Sequence, residues 1–455
     1  MITNGISKLM YIFPGQGAQY VGMGLDIYDE FASARAVYEE ASDSVGFDVA
    51  ALSFYDPKGQ LDLTEYCQVA LLAHSIACVE AFNEITSNKW APGIVAGHSL
   101  GEYSALVTAK ALTLTDAIRL VHQRGKLMSE YGRGHMVAFP LDLDSIKTLA
   151  YANYCSIGGC NLPEQTVVCG QKSDLDSVIN AVVKNFGKAK AGRFLNTAGA
   201  FHSYMMIEAA EQFRPHLDSI SLHGTKTKVM SNYTGDFHSI EPDAVKAALF
   251  FQIFNPVKWM HGFENAIDDG AHIIIEFGGG VGKDGPGNTQ SPHTKKPNLE
   301  GIVRKTLRGR KSEGIYLPAI NSLSLHQVDR KLSCFLSLQN TGSTVQSEAP
   351  TNDIWIGDKS WRLYVPVQNN TPNSKAMFLA TTLQDMNLVS KVPISVENYE
   401  ENIQFLRQCV DAATMEAEPY LEVAVGGCSA MMLHYRGDEI VRELANLSSQ
   451  MQRND

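Results

Sequence analysis

The first 127 residues alternate short apolar runs with longer segments in which apolar residues recur every three or four positions. Such runs are typical of buried strands, and the spaced segments are typical of helices that pack on a sheet. Ile94-Val95-Ala96 predicts the end of one strand, and 100–109 predicts the helix after it. We therefore expect residues 8–127 to form an α/β sheet with covering helices.

The pattern changes after residue 134 to the order strand, helix, strand, strand, helix, strand. The six segments are "MVAFPL", "LDSIKTLAYA", "CSIGGCN", "QTVVCG", "SDLDSVINAVVKNF" and "AKAGRFL". This order is typical of a ferredoxin-like unit. We expect an inserted subdomain at about 134–197, and a binding cleft between it and the larger α/β part.

The C-terminal quarter is predicted to be separate. Residues 337–353 are polar, contain glycine and proline and have no periodicity, which predicts a linker between a first domain, 1–330, and an accessory domain, 354–455. The accessory domain has a small α+β pattern, with strands at "IWIG", "WRLYVPV", "YLEVAVGG" and "AMMLHYR" and helices at 396–415 and 437–452. Its sequence does not indicate a role.

Composition narrows the function classes. The chain has 455 residues, 44% of them apolar, and a formal net charge of −11 without a long basic run, which argues against nucleic acid as a partner. No apolar stretch approaches the length of a membrane span, and the N-terminus lacks a signal-peptide pattern, so we expect a cytoplasmic protein and no membrane partner. The eight cysteines are scattered without a CxxC pair, which favours reduced thiols over metal ligands or disulfides.

The stretch "AGHSLGEYSAL", 96–106, places Ser99 between two glycines at the predicted strand-to-helix turn. Gly97 and Gly101 permit the close backbone approach that a nucleophile elbow needs. The free N–H groups at the start of the following helix would stabilise negative charge near the serine. The pattern favours a nucleophile, but an ordinary glycine turn has the same spacing and stays open.

A serine nucleophile needs an adjacent base, and histidine is the natural candidate. Of the thirteen histidines, His98 is a poor choice because neighbouring side chains at a turn point apart. His202, in "TAGAFHSYMM", is better placed, since it follows a predicted strand at 192–196 and several small residues. Spacing alone does not distinguish this base from a solvated histidine at a helix start.

Six motifs occur in a specific order: "YIFPGQGAQYVGMG", "AGHSLGEYSAL", "AIRLVHQRGKLM", "GAFHS", "FQIFNPVKW" and "IIEFGGG". Together they resemble the malonyl-CoA:acyl-carrier-protein transacylases over about residues 8–310. The resemblance implies an α/β hydrolase-like subdomain with an inserted ferredoxin-like subdomain. It also implies transfer of a malonyl group from malonyl-CoA to the phosphopantetheine thiol of an acyl carrier protein, for polyketide or fatty acid synthesis, through a serine ester and without a metal or cofactor.

The resemblance also assigns roles at the site. Ser99 matches the acyl-accepting nucleophile, His202 the general base, and Gln252 the residue whose backbone carbonyl orients the histidine. Gln16 and Leu100 match the residues whose backbone N–H groups form the oxyanion hole.

Arg124 matches the arginine that binds the free carboxylate of malonate, a task suited to the two parallel bonds of a guanidinium. From the residues alone, the preferred interpretation is instead the solvated face of an amphipathic helix. Phe201, before the active histidine, implies malonyl rather than methylmalonyl as substrate. Gly199 departs from the modular polyketide transferases, which carry histidine there. Asn161 is expected to face the cleft.

Two other function classes stay open: an acyl hydrolase that edits carrier-bound chains, and a non-catalytic partner of a synthase. Arg124 argues against the first, because editing enzymes need no malonate clamp, and the intact set of site residues argues against the second. The polar loop at 284–297 resembles free-standing transferases that serve polyketide synthases. An acidic carrier protein would dock on one of two basic clusters, and we favour the one in the small subdomain. The clusters are Lys184, Lys188, Lys190 and Arg193, and Arg304, Lys305, Arg308, Arg310 and Lys311.

Overall fold

The computed structural model describes residues 8–282, 295–312 and 314–340, and four short strands further along the chain. The predicted polar loop at 284–297 lies mostly outside the described residues, as do the predicted helices at 396–415 and 437–452. The chain divides into two compact units, Met1–Leu338 and Gln339–Asp455.

The strands of the first unit are, in chain order, β1 (Lys8–Phe13), β2 (Ile94–Gly97), β3 (His135–Phe139), β4 (Ser156–Leu162), β5 (Gln165–Gly170), β6 (Arg193–Phe194), β7 (Lys228–Val229), β8 (Ala271–Phe277) and β9 (Ile315–Ala319). Its α-helices are α1 (Leu25–Glu30), α2 (Ala32–Val45), α3 (Val49–Tyr55), α4 (Thr64–Thr86), α5 (Gly101–Thr108), α6 (Leu114–Tyr131), α7 (Leu143–Ala152), α8 (Lys172–Phe186), α9 (Ile207–Ser219), α10 (Pro242–Gln252), α11 (Trp259–Asp268), α12 (Glu300–Gly309) and α13 (Ser322–Asn340).

The larger sheet has five parallel strands in the order β7-β2-β1-β8-β9, which confirms the predicted α/β fold. Tyr11 and Phe277, on adjacent strands, have ring centroids 4.7 Å apart, and Phe82 of α4 packs on Phe277 at 5.5 Å. Because the strands are parallel, their carboxyl ends meet at one edge of the sheet, where ligands of open α/β sheets bind. The segments after β1, β2 and β7 therefore come together there.

The smaller sheet is antiparallel, with the order β4-β5-β3-β6, and α7 and α8 cover it. It has its own core, which includes Val137, Phe139, Ile146, Val168 and Leu175. The elements follow the predicted order, but the last strand is only two residues long.

The short last strand follows from two glycines. Gly187 has a left-handed φ of 87° and is followed by a 3-10 helix, Lys188–Lys190, instead of an extended chain. Gly192 packs so closely on the sheet that a Cβ there would lie 2.4 Å from Val137 Cγ1. Only after it does the chain pair with β3.

Helix α4 corrects the expectation that no apolar stretch approaches a membrane span. Its 23 residues are long and apolar enough to cross a membrane by length and composition. However, 78% of its most apolar window is buried inside the protein, against α2 and α6 among others. We therefore interpret α4 as a core helix.

In the second unit, the structure describes two antiparallel strand pairs. β10 (Ile354–Trp355) pairs with β12 (Ala424–Val425), and β11 (Leu421–Glu422) pairs with β13 (His434–Tyr435). These strands lie within three of the four segments that the pattern predicts to be extended. The fourth, "WRLYVPV", lies outside the described residues.

Candidate active site

Ser99 lies on a tight turn between β2 and α5, with a left-handed φ of 53°. Residues other than glycine rarely adopt this conformation, and it is found at strained functional turns. A Cβ at Gly97 would lie 1.8 Å from the carbonyl carbon of Gly101, and one at Gly101 would lie 2.3 Å from Phe13 O. The two flanking glycines are therefore required for the turn, which holds the serine side chain at the carboxyl edge of the sheet.

Asn232, three residues after β7, stabilises this turn with two hydrogen bonds. Its Oδ1 accepts a hydrogen bond of 2.6 Å from the backbone N–H of Ser99, and its Nδ2 donates one of 2.7 Å to Gly97 O. On the other side, His98 Nε2 lies 2.9 Å from Oδ1 of Asn161 on β4. The smaller sheet thus reaches the residue next to Ser99, and Asn161 borders the site.

Ser99, His202 and Gln252 form a hydrogen-bonded series although they are far apart in sequence. Ser99 Oγ lies 2.7 Å from His202 Nε2, and His202 Nδ1 lies 2.8 Å from the backbone oxygen of Gln252. A carbonyl oxygen can only accept, so Nδ1 carries the proton and Nε2 presents its lone pair to the serine hydroxyl. This is the tautomer that a general base for serine requires.

The environment of His202 keeps its ring neutral. Burial, chiefly, and the nearby charge of Arg124 lower its pKa from 6.5 to about 3, against the opposing effect of the Gln252 carbonyl. The imidazole is therefore unprotonated and able to accept a proton at neutral pH.

Arg124, on α6, is buried, with only 1% of its surface exposed. Its Nη2 donates to Gln252 Oε1 at 2.9 Å and to Ser99 Oγ at 3.3 Å, and its Nη1 donates to Gln68 Oε1 at 2.9 Å. Among the described residues, Nε has no hydrogen-bond partner and no carboxylate lies within 4.0 Å to form an ion pair. Burial lowers the pKa of the guanidinium.

Arg124 differs in exposure from the other cations on its helix. Arg119 and Lys126 are exposed, whereas Arg124 points inward beside Ser99. A buried cation without a directly paired carboxylate is costly, and an anionic ligand would relieve that cost. The solvated-face interpretation therefore fits Arg119 and Lys126 but does not fit Arg124.

Two backbone N–H groups near Ser99 are available to an oxyanion. Those of Gln16 and Leu100 donate no hydrogen bond to any part of the chain that the structure describes. The loop that carries Gln16 touches the turn, because a Cβ at Gly15 would lie 2.5 Å from His98 O. Leu100 directly follows the serine.

Phe201 is buried beside His202, and its carbonyl accepts a hydrogen bond of 3.3 Å from Cys169 Sγ on β5. Gly199, where the sequence departs from the modular transferases, is closely packed. A Cβ there would lie 2.9 Å from Met206 Cε and 3.3 Å from the carbonyl carbon of Gly132. A histidine side chain does not fit this position in the present conformation.

Four polar residues at the site were not singled out from the sequence: Gln68, Glu102, Asn232 and His238. Glu102 and Gln68 are fully or almost fully buried on otherwise apolar helices, and this isolation within an apolar pattern was a signal that could have identified them. Asn232 follows the carboxyl end of a strand, which is a second such signal. Nothing in the local sequence marks His238.

The family model, the sequence relatives and the solved structures that are similar to this chain all point to one family. The acyl transferase domain model matches residues 10–278. The malonyl CoA-acyl carrier protein transacylase of Bacillus subtilis is 33% identical over 329 residues, which cover 70% of this chain and 97% of the relative. The solved transacylase of the same name from Clostridium perfringens is 27% identical, with a TM-score of 0.65, and covers 73% of this chain and 100% of its own.

One similar structure is a complex. It contains a type II polyketide synthase acyl-carrier protein with its malonyl-transacylase. The matched chain is 30% identical to this one, with a TM-score of 0.62, and the match covers 70% of this chain and 98% of that chain.

Proposed function

The chain belongs to the acyl transferase family that includes the malonyl CoA-acyl carrier protein transacylases, and we propose how its residues perform that reaction. It is an acyltransferase that moves a malonyl group from malonyl-CoA to the thiol of an acyl carrier protein. The observation that supports the mechanism best is the series from Ser99 through His202 to the Gln252 carbonyl, with buried Arg124 beside it.

In the first half of the reaction, Ser99 Oγ attacks the thioester carbonyl while His202 Nε2 takes the hydroxyl proton. The N–H groups of Gln16 and Leu100 stabilise the oxyanion of the tetrahedral intermediate. The C–S bond then breaks, His202 gives its proton to the CoA thiolate, and a malonyl ester remains on Ser99.

In the second half, the phosphopantetheine thiol of the carrier protein is the nucleophile. It loses its proton to His202 as it attacks the ester carbonyl, and the collapse of the intermediate returns that proton to Ser99 Oγ. The products are the malonyl thioester of the carrier and the free serine. These steps use only groups of this chain and the thiols of the two substrates, so we propose that no metal or cofactor is needed.

Arg124 binds the distal carboxylate of the malonyl group in this proposal. Its hydrogen bond to Ser99 Oγ supports a role next to the acyl group, and its burial without a directly paired carboxylate among the described residues supports an anionic ligand. Phe201 would restrict space next to the acyl chain and favour malonyl over methylmalonyl. An editing hydrolase has no need of this cation, so we favour transfer over hydrolysis.

The finer description of the chain is part of the same proposal. We assign residues 1–330 to the acyltransferase, with a ferredoxin-like subdomain at about 134–197 inserted into an α/β hydrolase-like subdomain, and 354–455 to an accessory domain. The antiparallel order β4-β5-β3-β6 with two helices supports the ferredoxin-like assignment. A cytoplasmic location is supported by the five cysteines whose side chains the structure describes, all of which are free thiols.

The test is intact-protein mass spectrometry after brief incubation with malonyl-CoA. Wild-type protein should gain one malonyl group, and Ser99→Ala should gain none, because the attacking hydroxyl is absent. Labelling of Ser99→Ala at another residue, or wild-type protein that releases free malonate without forming an ester, would contradict the proposal.

Arg124→Ala tests the carboxylate clamp in the same assay. Malonylation should slow by about 10- to 100-fold, the scale of a lost hydrogen bond to a charged group, while acetylation from acetyl-CoA changes far less. Arg119→Ala, an exposed arginine on the same helix, is the matched control and should leave both rates unchanged. Equal losses with the two donors in Arg124→Ala would show that Arg124 is structural and not a clamp.

A further inference from the structure

Glu102, in the first turn of α5, is a fully buried carboxylate directly beneath the Ser99 turn. Its Oε2 accepts hydrogen bonds from Gln252 Nε2 at 2.8 Å and from the backbone N–H of Asn232 at 3.2 Å. Its Oε1 lies 2.6 Å from His238 Nε2. The proposed chemistry gives Glu102 no step, yet burying a carboxylate is costly unless its oxygens are paired in this way.

The hydrogen bonds fix which way the Gln252 side-chain amide faces. Its Nε2 donates to both Glu102 Oε2 and the Ser99 carbonyl oxygen, each at 2.8 Å. Both partners can only accept, so the NH₂ group must face them. The amide oxygen is therefore turned to Arg124, whose Nη2 donates to it at 2.9 Å.

In this arrangement Glu102 offsets part of the charge of Arg124 without hydrogen bonding to its guanidinium group. Burial lowers the pKa of Arg124, and Tyr103 and then the Glu102 carboxylate oppose that effect, but Glu102 and Arg124 do not form a direct ion pair. A carboxylate paired directly with the guanidinium would compete with the malonyl carboxylate for the same donors. With one amide between them, the anion compensates the cation while Nε of Arg124 has no partner among the described residues.

We propose that Glu102 is a positioning residue for malonyl selectivity: it orients the Gln252 amide, which in turn holds Arg124 in place to bind the substrate carboxylate. His238 and the Asn232 N–H keep the Glu102 carboxylate fixed. The inference rests on the proposed role of Arg124 as the malonate clamp. It gives Gln252 two separate tasks, because its backbone carbonyl orients His202 and its side chain orients Arg124.

The first test compares two substitutions of Glu102 by their ratio of malonylation to acetylation rates, measured by intact mass. Glu102→Gln keeps the shape but removes the negative charge, and its NH₂ group faces either His238 or the Gln252 and Asn232 donors, so the ratio should fall about tenfold or more as bonds to a charged acceptor are lost. Glu102→Asp is shorter but keeps two acceptor oxygens, so the ratio should fall less. A merely space-filling role predicts the opposite order, and that result would overturn the inference.

The second test asks whether Glu102 acts through Gln252. Gln252→Met removes the amide but keeps the backbone carbonyl that orients His202, and it should lower the ratio as Glu102→Gln does. Adding Glu102→Gln to Gln252→Met should then lower the ratio no further, because the connecting group is already absent. Additive losses would overturn the inference. If Glu102→Gln does not fold, Gln252→Met alone decides, and an unchanged ratio overturns the inference.

Arg124→Ala distinguishes a failure of the inference about Glu102 from a failure of the proposed clamp. If it lowers the ratio while the Glu102 and Gln252 variants do not, the clamp stands and the inference fails. If Arg124→Ala itself leaves the ratio unchanged, the clamp fails and the inference fails with it. Circular dichroism and thermal unfolding of each variant establish that the rates are those of folded protein.

Discussion

Arg124 and His202 are both buried beside Ser99 Oγ, and the charge of Arg124 affects the protonation of His202. The positive charge of Arg124 is, after burial, the largest cause of the lowered pKa of His202. A bound malonyl carboxylate would offset that charge, so substrate binding should raise the pKa of the base. A base with a pKa nearer the working pH accepts a proton more readily, and the carboxylate would therefore assist the chemistry as well as the binding.

This coupling predicts the pH dependence of self-malonylation. The base is active when it is unprotonated, so the lowered pKa keeps it active in free enzyme well below the ordinary 6.5. At low malonyl-CoA concentration, which reports the free enzyme, the rate should stay level between about pH 8 and about pH 5. At saturating malonyl-CoA, which reports the complex, the acid-side loss should begin at higher pH.

Single-turnover rates from quenched intact-mass samples would measure both profiles. Arg124→Ala with acetyl-CoA is the control, since neither charge is then present and the two profiles should coincide. A loss centred near pH 6.5 at low malonyl-CoA concentration would show that His202 titrates as an exposed histidine and would contradict the prediction.

The sequence predicted the residues to which we assign the chemistry, but not the residues that hold them in position. Ser99, His202 and the Gln252 carbonyl come together as the motifs imply. The spacing of α6 could not separate Arg124 from a solvated arginine, because its burial depends on Gln68 and Gln252 from two other helices. Contacts between distant segments leave no local pattern in the chain.

At the scale of elements, the turn between β2 and α5 determines where Ser99 lies. The predicted strand and helix bounds were accurate to about one residue, because apolar periodicity and two glycines define them locally. The last strand of the smaller sheet was predicted too long. It begins only after Gly192, which packs closely on Val137 and Phe139, a contact that the local pattern does not encode.

Gly97→Ala tests the turn. A Cβ there would lie 1.8 Å from the Gly101 carbonyl carbon, and backbone atoms cannot move aside as a flexible side chain can. The substitution should lower the free energy of unfolding by about 3 kcal/mol or more and abolish self-malonylation. Thermal unfolding and intact mass measure the two effects.

Gly301→Ala is the matched control for this substitution. Gly301 lies in helix α12, and within the described residues no atom outside its own helix backbone and chain neighbours lies within 4 Å of the added Cβ. Alanine there should raise the free energy of unfolding by roughly 0.5–1 kcal/mol and leave malonylation unchanged. A Gly97→Ala protein that is as stable and active as wild type would show that the turn tolerates a side chain.

At the scale of the whole molecule, the site belongs to one of the two compact units. Every proposed site residue lies within Met1–Leu338. A chain ending at Thr344 should therefore fold and become malonylated at the wild-type rate. If that chain is folded, by circular dichroism and cooperative melting, yet is not malonylated, then the second unit contributes to the active enzyme and our division of the chain is wrong.

The net charge of the chain affects how it binds its second substrate, the carrier protein. A net charge of −11 opposes an acidic carrier protein unless basic residues are gathered where it docks. On the smaller subdomain, Lys188 and Arg193 are exposed and form no ion pair within the described part of the chain. Each cluster has some cations that are already paired, Lys190 in the first and Arg304 and Arg310 in the second, so ion pairing does not distinguish them. We expect the first cluster to dock the carrier because the smaller subdomain borders the site through Asn161.

Reversing both charges, Lys188→Glu with Arg193→Glu, should weaken carrier binding by about 1–2 kcal/mol, which is roughly a tenfold rise in KM for the carrier protein. The rise should shrink at high salt, because these exposed charges are screened. Self-malonylation should be unchanged, since malonyl-CoA is bound elsewhere. Lys305→Glu with Arg308→Glu is the matched control, one lysine and one arginine in the other cluster, both exposed. A larger rise in KM for the control pair would place the carrier at α12, and equal rises would show that only the net charge matters.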